Sequence, residues 1–196
     1  MYTAHGVGQC MRLATLAAAL CSACAFADDY APVSELLRNG QLADAMLKAD
    51  QYLAKNPRDP QMRFLKGLIQ QDSGQQAQAV DTYTRLTEEY PELPEPHNNV
   101  AVLYAAQGQY DRARLALEMA TRTSPRYAVA HENLGDVYAR LAGQAYGQAL
   151  LLEPGNAALA PKLALIRQLF AASAQTRSGA APDGARAPAA ATPAGK

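Results

Sequence analysis

The feature that most constrains this chain is a period. Gly40, Gly74 and Gly108 stand 34 residues apart, and so do Pro57, Pro91 and Pro125, and Ala45, Ala79 and Ala113. His97 and His131, Asn99 and Asn133, and Tyr104 and Tyr138 keep the same spacing of 34. Several residue types in phase mark a repeat architecture, in which each unit buries its apolar face only by stacking on its neighbours.

Residues 94–127 show the physics inside one period. Pro94 and Pro96 suit a first helical turn, where their missing N–H is not needed. Val100, Leu103 and Tyr104 follow at helical spacing. Gly108 ends that helix, because a left-handed backbone is cheap only for glycine. Tyr110, Ala113, Leu117 and Ala120 form a second helical stripe, and Pro125 stops it. Small residues (Ala101, Ala113, Ala120) let two antiparallel helices approach closely.

The pattern resembles the tetratricopeptide repeat, a 34-residue helix-turn-helix unit, and the segment HNNVAVLYAAQGQYDRARLALEMATRTSP, residues 97–125, carries the likeness most fully. The family's usual Trp is replaced by His97 and His131. Its small residue in the first helix stands as Gly67, Ala101 and Gly135, and the Ala of its second helix as Ala45, Ala79 and Ala113. The resemblance covers about residues 28–154. It implies an all-α solenoid of about three to four repeats with a C-terminal capping helix, and leaves function open, since such repeats host many roles.

The departures carry their own expectations. The first repeat has only a stub of a first helix, Val33 to Asn39. The second carries Lys66 and Gln70 where the family prefers Leu and Tyr, which predicts shifted or weaker packing. The fourth is short: Pro154 follows Pro125 by 29 residues, and its inter-helix Gly turn is missing. From Leu134 the apolar set Tyr138, Leu141, Ala145, Ala149, Leu152 advances at 3.6 residues per step, the pitch of one unbroken helix. The spacing predicts a single helix over 129–153, with a kink near Gly143 and Gly147 as the alternative. Ala157 to Ala172 reads as a capping amphipathic helix, with Leu159, Leu163, Ile166 and Phe170 inward and Lys162 and Arg167 outward.

The ends read differently. Arg12, an apolar run from Leu13 and the sequence Ala25-Phe26-Ala27 compose a secretory signal, with cleavage expected after Ala27. Residues 1–10 are atypical of such a leader, and Met11 is an alternative start. Neither Cys21 nor Cys24 suits a lipid-anchor site, so soluble export to the periplasm is expected. The run is also shorter than the roughly 20 residues that span a bilayer. The expected organisation is a leader over 1–27, a repeat domain over 28–172 and a disordered tail over 173–196 rich in Ala, Pro and Gly.

Charge and chemistry exclude more than they suggest. Lys and Arg total 18 and so do Asp and Glu, so no positive excess points to nucleic acid. The three cysteines all precede residue 25, leaving no Cys zinc site or thiol nucleophile downstream. His97 and His131 sit on equivalent helices and point in parallel, which predicts packing between helices, not chelation. No nucleophile elbow and no phosphate-binding loop occurs. A non-enzymatic chain with no cofactor is expected.

A binding role fits better. The resemblance implies that stacked first helices line a concave face, where Asn99 and Asn133 fall at equivalent places. In similar superhelical proteins such an asparagine hydrogen-bonds a peptide backbone, since an amide both donates and accepts. The simpler reading is that both asparagines steady loops or face water. Phe64, Leu68, Gln71, Asn98, Val102, Ala106, Glu132, Asp136 and Arg140 are expected on the same face, forming a groove for an extended or helical peptide. The family's clamp for acidic C-termini needs several Lys and Arg. The matching places hold Phe64, Leu68, Asn99, Val129 and Asn133, which disfavours that ligand. The expected function is an exported adaptor for a protein or peptide partner. The alternative is an envelope assembly factor, resembling family members in cell division, outer-membrane assembly or cytochrome maturation, acting through its outer surface or as a homo-oligomer.

Overall fold

A computed structural model describes the backbone of residues 29–179 and the side chains of 29–171. The leader and most of the tail lie outside the described residues. Among the described residues eight helices run in order: α1 (Tyr30–Arg38), α2 (Leu42–Leu53), α3 (Pro60–Asp72), α4 (Gln76–Glu89), α5 (Pro94–Ala106), α6 (Tyr110–Thr123), α7 (Ala128–Leu152) and α8 (Leu159–Gly179). No strand occurs among them. The fold is an all-α helical-repeat fold.

The period shows in the turns. Gly40, Gly74 and Gly108 have φ of +71°, +76° and +74°. At each, the glycine N–H bonds back three residues and the next N–H bonds back five, as in Gly108 to the Ala105 carbonyl and Gln109 to the Tyr104 carbonyl. This double bond pattern satisfies the orphan carbonyls of the preceding helix and requires the left-handed glycine. In the fourth repeat the same place holds Ala142. A left-handed alanine costs about 1–2 kcal/mol, so the chain stays helical. Accordingly α7 runs 25 residues without a break.

Contacts divide the chain into two compact units, the first ending at Ile69 and the second starting at Gln70. In the first, α1 packs on α2. Val33, Ala45, Ala49, Met62, Leu65 and Ile69 are buried. One carboxylate ties this unit together. Asp59 Oδ1 accepts the Met62 N–H at 2.7 Å, capping α3. Its Oδ2 accepts the Tyr30 hydroxyl at 2.7 Å and the Tyr52 hydroxyl at 3.3 Å. Burial and these neighbours push the Tyr30 phenol well above its usual range. Lys66, out of pattern for the family, pairs with Asp50 at 2.6 Å.

In the second unit α4 packs on α5, α5 on α6, α6 on α7 and α7 on α8. The alanines of the second-helix register, Ala79 and Ala113, are fully buried, as are Tyr83 and Leu86. Burying a large apolar side chain is worth about 1.5–3 kcal/mol. Gln70, the other residue out of pattern, is buried and accepts the Thr82 hydroxyl at 2.7 Å. Each polar intrusion is thus met by a partner.

The chain turns back after Leu152, and α7 and α8 lie antiparallel. The Arg140 guanidinium lies 3.5 Å from the Phe170 ring centre, the Lys162 ammonium 5.1 Å from that of Tyr146. Between these contacts, a Cβ built on Gly143 would meet the Ile166 side chain at 3.4 Å, so the glycine admits the neighbouring helix. Among the expected inward residues of α8, Leu159 is buried and Leu163, Ile166 and Phe170 are half-buried. The helix starts two residues later than the expected 157 and continues past 172 to Gly179. Ala174, Gln175 and Arg177 are good helix formers, and extending a formed helix carries no nucleation cost.

Candidate cavity on the second unit

The register makes two consecutive places comparable. At the first, Tyr83 of α4 is fully buried, and Asn99 Nδ2 donates to its hydroxyl at 3.3 Å. Burial pushes the Tyr83 phenol up, the Asn99 bond opposes this, and the charge of Asp72 adds to it. Thirty-four residues on, the equivalents are Leu117 and Asn133. Leucine offers no hydroxyl, and Asn133 Nδ2 donates to Asn98 Oδ1 at 2.8 Å. Asn98 Nδ2 in turn donates to Asn99 Oδ1 at 3.1 Å. The three amides and the phenol form one relay through α7, α5 and α4.

A cavity of about 460 Å³ lies beside Leu117 and Asn133. Ala101, Val102, Ala105 and Ala106 of α5 give it an apolar wall, with Tyr110 and Leu117 from α6. Asn133, Asp136, Val137 and Arg140 of α7 give the facing, more polar wall, and Phe170 of α8 completes it. The Phe170 ring holds the Arg140 guanidinium by a cation–π contact. Asp136, one turn before Arg140, is joined to no cation among the described residues.

Of the residues expected on the binding face, the structure brings Val102, Ala106, Asn133, Asp136 and Arg140 together around this cavity. Glu132 is exposed and lies off it. Asn98 does not line it: the side chain is buried and both ends of its amide are engaged. Asn99 is half-buried, its nitrogen on Tyr83 and its oxygen on Asn98, so it presents no open amide ladder. Phe64 and Leu68 are buried in the first unit and serve as core. Gln71 keeps a buried Oε1 without a hydrogen-bond partner. Ala101, Ala105, Tyr110, Leu117, Val137 and Phe170 line the cavity from outside the expected set. For Leu117 the signal is legible in the change from Tyr83 to Leu117 at one register place.

The histidines also differ from expectation. His97 Nε2 lies 3.3 Å from the Pro91 carbonyl and His131 Nε2 3.1 Å from the Pro125 carbonyl. Each ring holds the loop six residues before it. His97 is buried, whereas His131 is exposed, so only one of the two packs inside. Burial lowers the His97 pKa, with the Pro91 bond opposing. No group of three His, Asp, Glu or Cys side chains among the described residues is placed to hold a metal ion.

Comparison with known proteins agrees with this architecture. The chloroplastic tetratricopeptide repeat domain-containing protein PYG7 of Arabidopsis thaliana is 32% identical over 76 residues, which are 36% of this chain and 25% of that protein. The chain therefore matches about a quarter of that relative's length. Among solved structures, the thermophilic repeat protein TTC0263 of Thermus thermophilus aligns with TM-score 0.55 and 24% identity, covering 73% of this chain and 81% of that one. MamA aligns with TM-score 0.53 and 18% identity, covering 71% and 84%. These structures share the fold. Repeats of this kind typically act as interaction modules rather than catalysts. The tetratricopeptide repeat family profile matches residues 30–94 and 101–160, more than half of the sequence, and the chain belongs to that family.

Proposed function

We propose that this chain is an exported, non-enzymatic adaptor that holds a segment of a partner protein in the cavity between α5, α6 and α7. One observation carries the reading: an open cavity of about 460 Å³ whose one wall is apolar and whose other bears Asn133, Asp136 and Arg140. Apolar surface supplies the binding energy, and a few fixed polar groups orient the bound chain. A periplasmic location follows from the leader read in the sequence. No described helix is long and apolar enough to cross a membrane.

A photocrosslinker at Val102 inside cells tests this, with Leu47 on α2 as an exposed control. Capture of one defined protein from Val102 and not from Leu47, lost in Asp136→Arg, is expected. Equal capture from both positions, or capture indifferent to Asp136→Arg, rejects the cavity.

A second reading has its own observation. Leu151, Leu152, Leu165 and Leu169 are exposed at the C-terminal hairpin. Exposed large apolar side chains on one hairpin suit self-association or an assembly surface. Light scattering on the purified chain separates the readings: a stable dimer lost in Leu165→Glu, Leu169→Glu supports the surface role, and a monomer removes it.

A further inference from the structure

We infer that the cavity takes an aromatic side chain of the partner, tyrosine before any other. This deepens the adaptor reading and rests on it. The repeat just before carries its own answer: Tyr83 occupies the register place of Leu117, and its hydroxyl is bonded by the asparagine equivalent to Asn133. Where leucine stands for tyrosine, the ring and its hydroxyl are missing, and the cavity reaches down to the buried Leu117 and the half-buried Asn133. A guest ring entering there lies against Val102, Ala105 and Ala106, over a floor of the buried Ala101, Leu117 and Val137, apolar surface of the kind aromatic rings bury against.

The polar wall chooses among rings. Asn133 Nδ2 gives one of its two hydrogens to Asn98, and its Oδ1 is an acceptor. Asp136 adds a carboxylate that pairs with no cation among the described residues. These acceptors call for a donor, and a phenol is neutral near pH 7, donates one O–H and can also accept, as Tyr83 does from Asn99. Phenylalanine fills the space but leaves these acceptors without a donor. Phosphotyrosine brings negative charge against Asp136, while Arg140 is turned onto Phe170. Arg140 balances Asp136 in charge, so the wall suits a neutral hydroxyl donor, and an anion gains nothing from the carboxylate it must lie beside.

The probe is acetyl-Gly-Ala-Tyr-Ala-Gly-amide, with Phe, Leu and phosphotyrosine counterparts, titrated into the full chain labelled with ¹⁵N. Amide shifts at Val102, Asn133 and Asp136 report binding. The tyrosyl peptide is expected to bind about tenfold tighter than the phenylalanyl one, the worth of one hydrogen bond, with the leucyl and phosphotyrosyl peptides weaker than both. Asp136→Ala should lower tyrosine affinity to that of phenylalanine. Leu117→Tyr supplies the ring from inside and should abolish the shifts. Equal binding of the Leu and Tyr peptides overturns the inference, and so does a tyrosine preference untouched by Asp136→Ala. If Leu117→Tyr does not fold, the Asp136→Ala comparison alone decides. Loss of the tyrosine preference with the Val102 crosslink intact defeats this inference only; failure of every peptide together with an empty crosslink defeats the adaptor reading as well.

Discussion

Tyr83 and Leu117 stand at one place in consecutive repeats, and the two neighbourhoods have diverged. Tyr83 is fully buried, and Asn99 Nδ2 donates to its phenol. Around Leu117 the ring is absent, Asn133 bonds sideways to Asn98, and a cavity remains. The preceding glycine turns and the buried alanines are alike at both, while the helix that follows differs: α5 ends at the Gly108 turn and α7 runs on for 25 residues. A repeat fold can therefore make neighbouring register places differ through one side chain together with the helix packed against it.

Exchanging the two places breaks the comparison most strongly at the filled one. Tyr83→Leu removes a fully buried ring and deprives Asn99 of its partner. A loss of about 3 kcal/mol in urea unfolding is expected, from the cavity and the orphaned amide together. A loss below about 1 kcal/mol would mean that the first site is as loose as the second.

The histidine pair gives a smaller effect with a definite sign. The folded state lowers the His97 pKa below its unfolded value near 6.5. The unfolded chain then binds the proton more readily. His97 contributes fully above the unfolded pKa, and that contribution is lost as pH falls through the folded value. The melting temperature should drop between pH 7 and pH 5, and His97→Gln should reduce the slope. An unchanged slope would show that burial of this ring does not matter to stability.

How much of this was legible beforehand follows from which residues set the backbone. Gly40, Gly74 and Gly108 dictate a left-handed turn wherever they occur, so the period translated directly into helix boundaries. The missing glycine of the fourth repeat likewise announced the unbroken α7, because Ala142 cannot take that turn cheaply. The site was harder to read. Val102 on α5, and Asn133, Asp136 and Arg140 on α7, fall on faces that spacing and the repeat register could find. Asn98, Asn99, Phe64 and Leu68 share the same spacing but point into neighbours, and the Asn98 amide is taken up from both sides by bonds that only the packed helices bring together. Phe170 was legible as an inward residue of the last helix, but its contact with Arg140 at the cavity arises only when α7 and α8 pack.

Leu117→Tyr tests most directly whether the open place is a vacated tyrosine site. Enlarging a well-packed core residue ordinarily costs about 1–3 kcal/mol. Here the added ring should enter the cavity with its hydroxyl toward Asn133, and unfolding in urea should shift by less than about 0.5 kcal/mol. Destabilisation of about 3 kcal/mol or more, or a crystal structure with the ring turned away and the cavity still open, would contradict it.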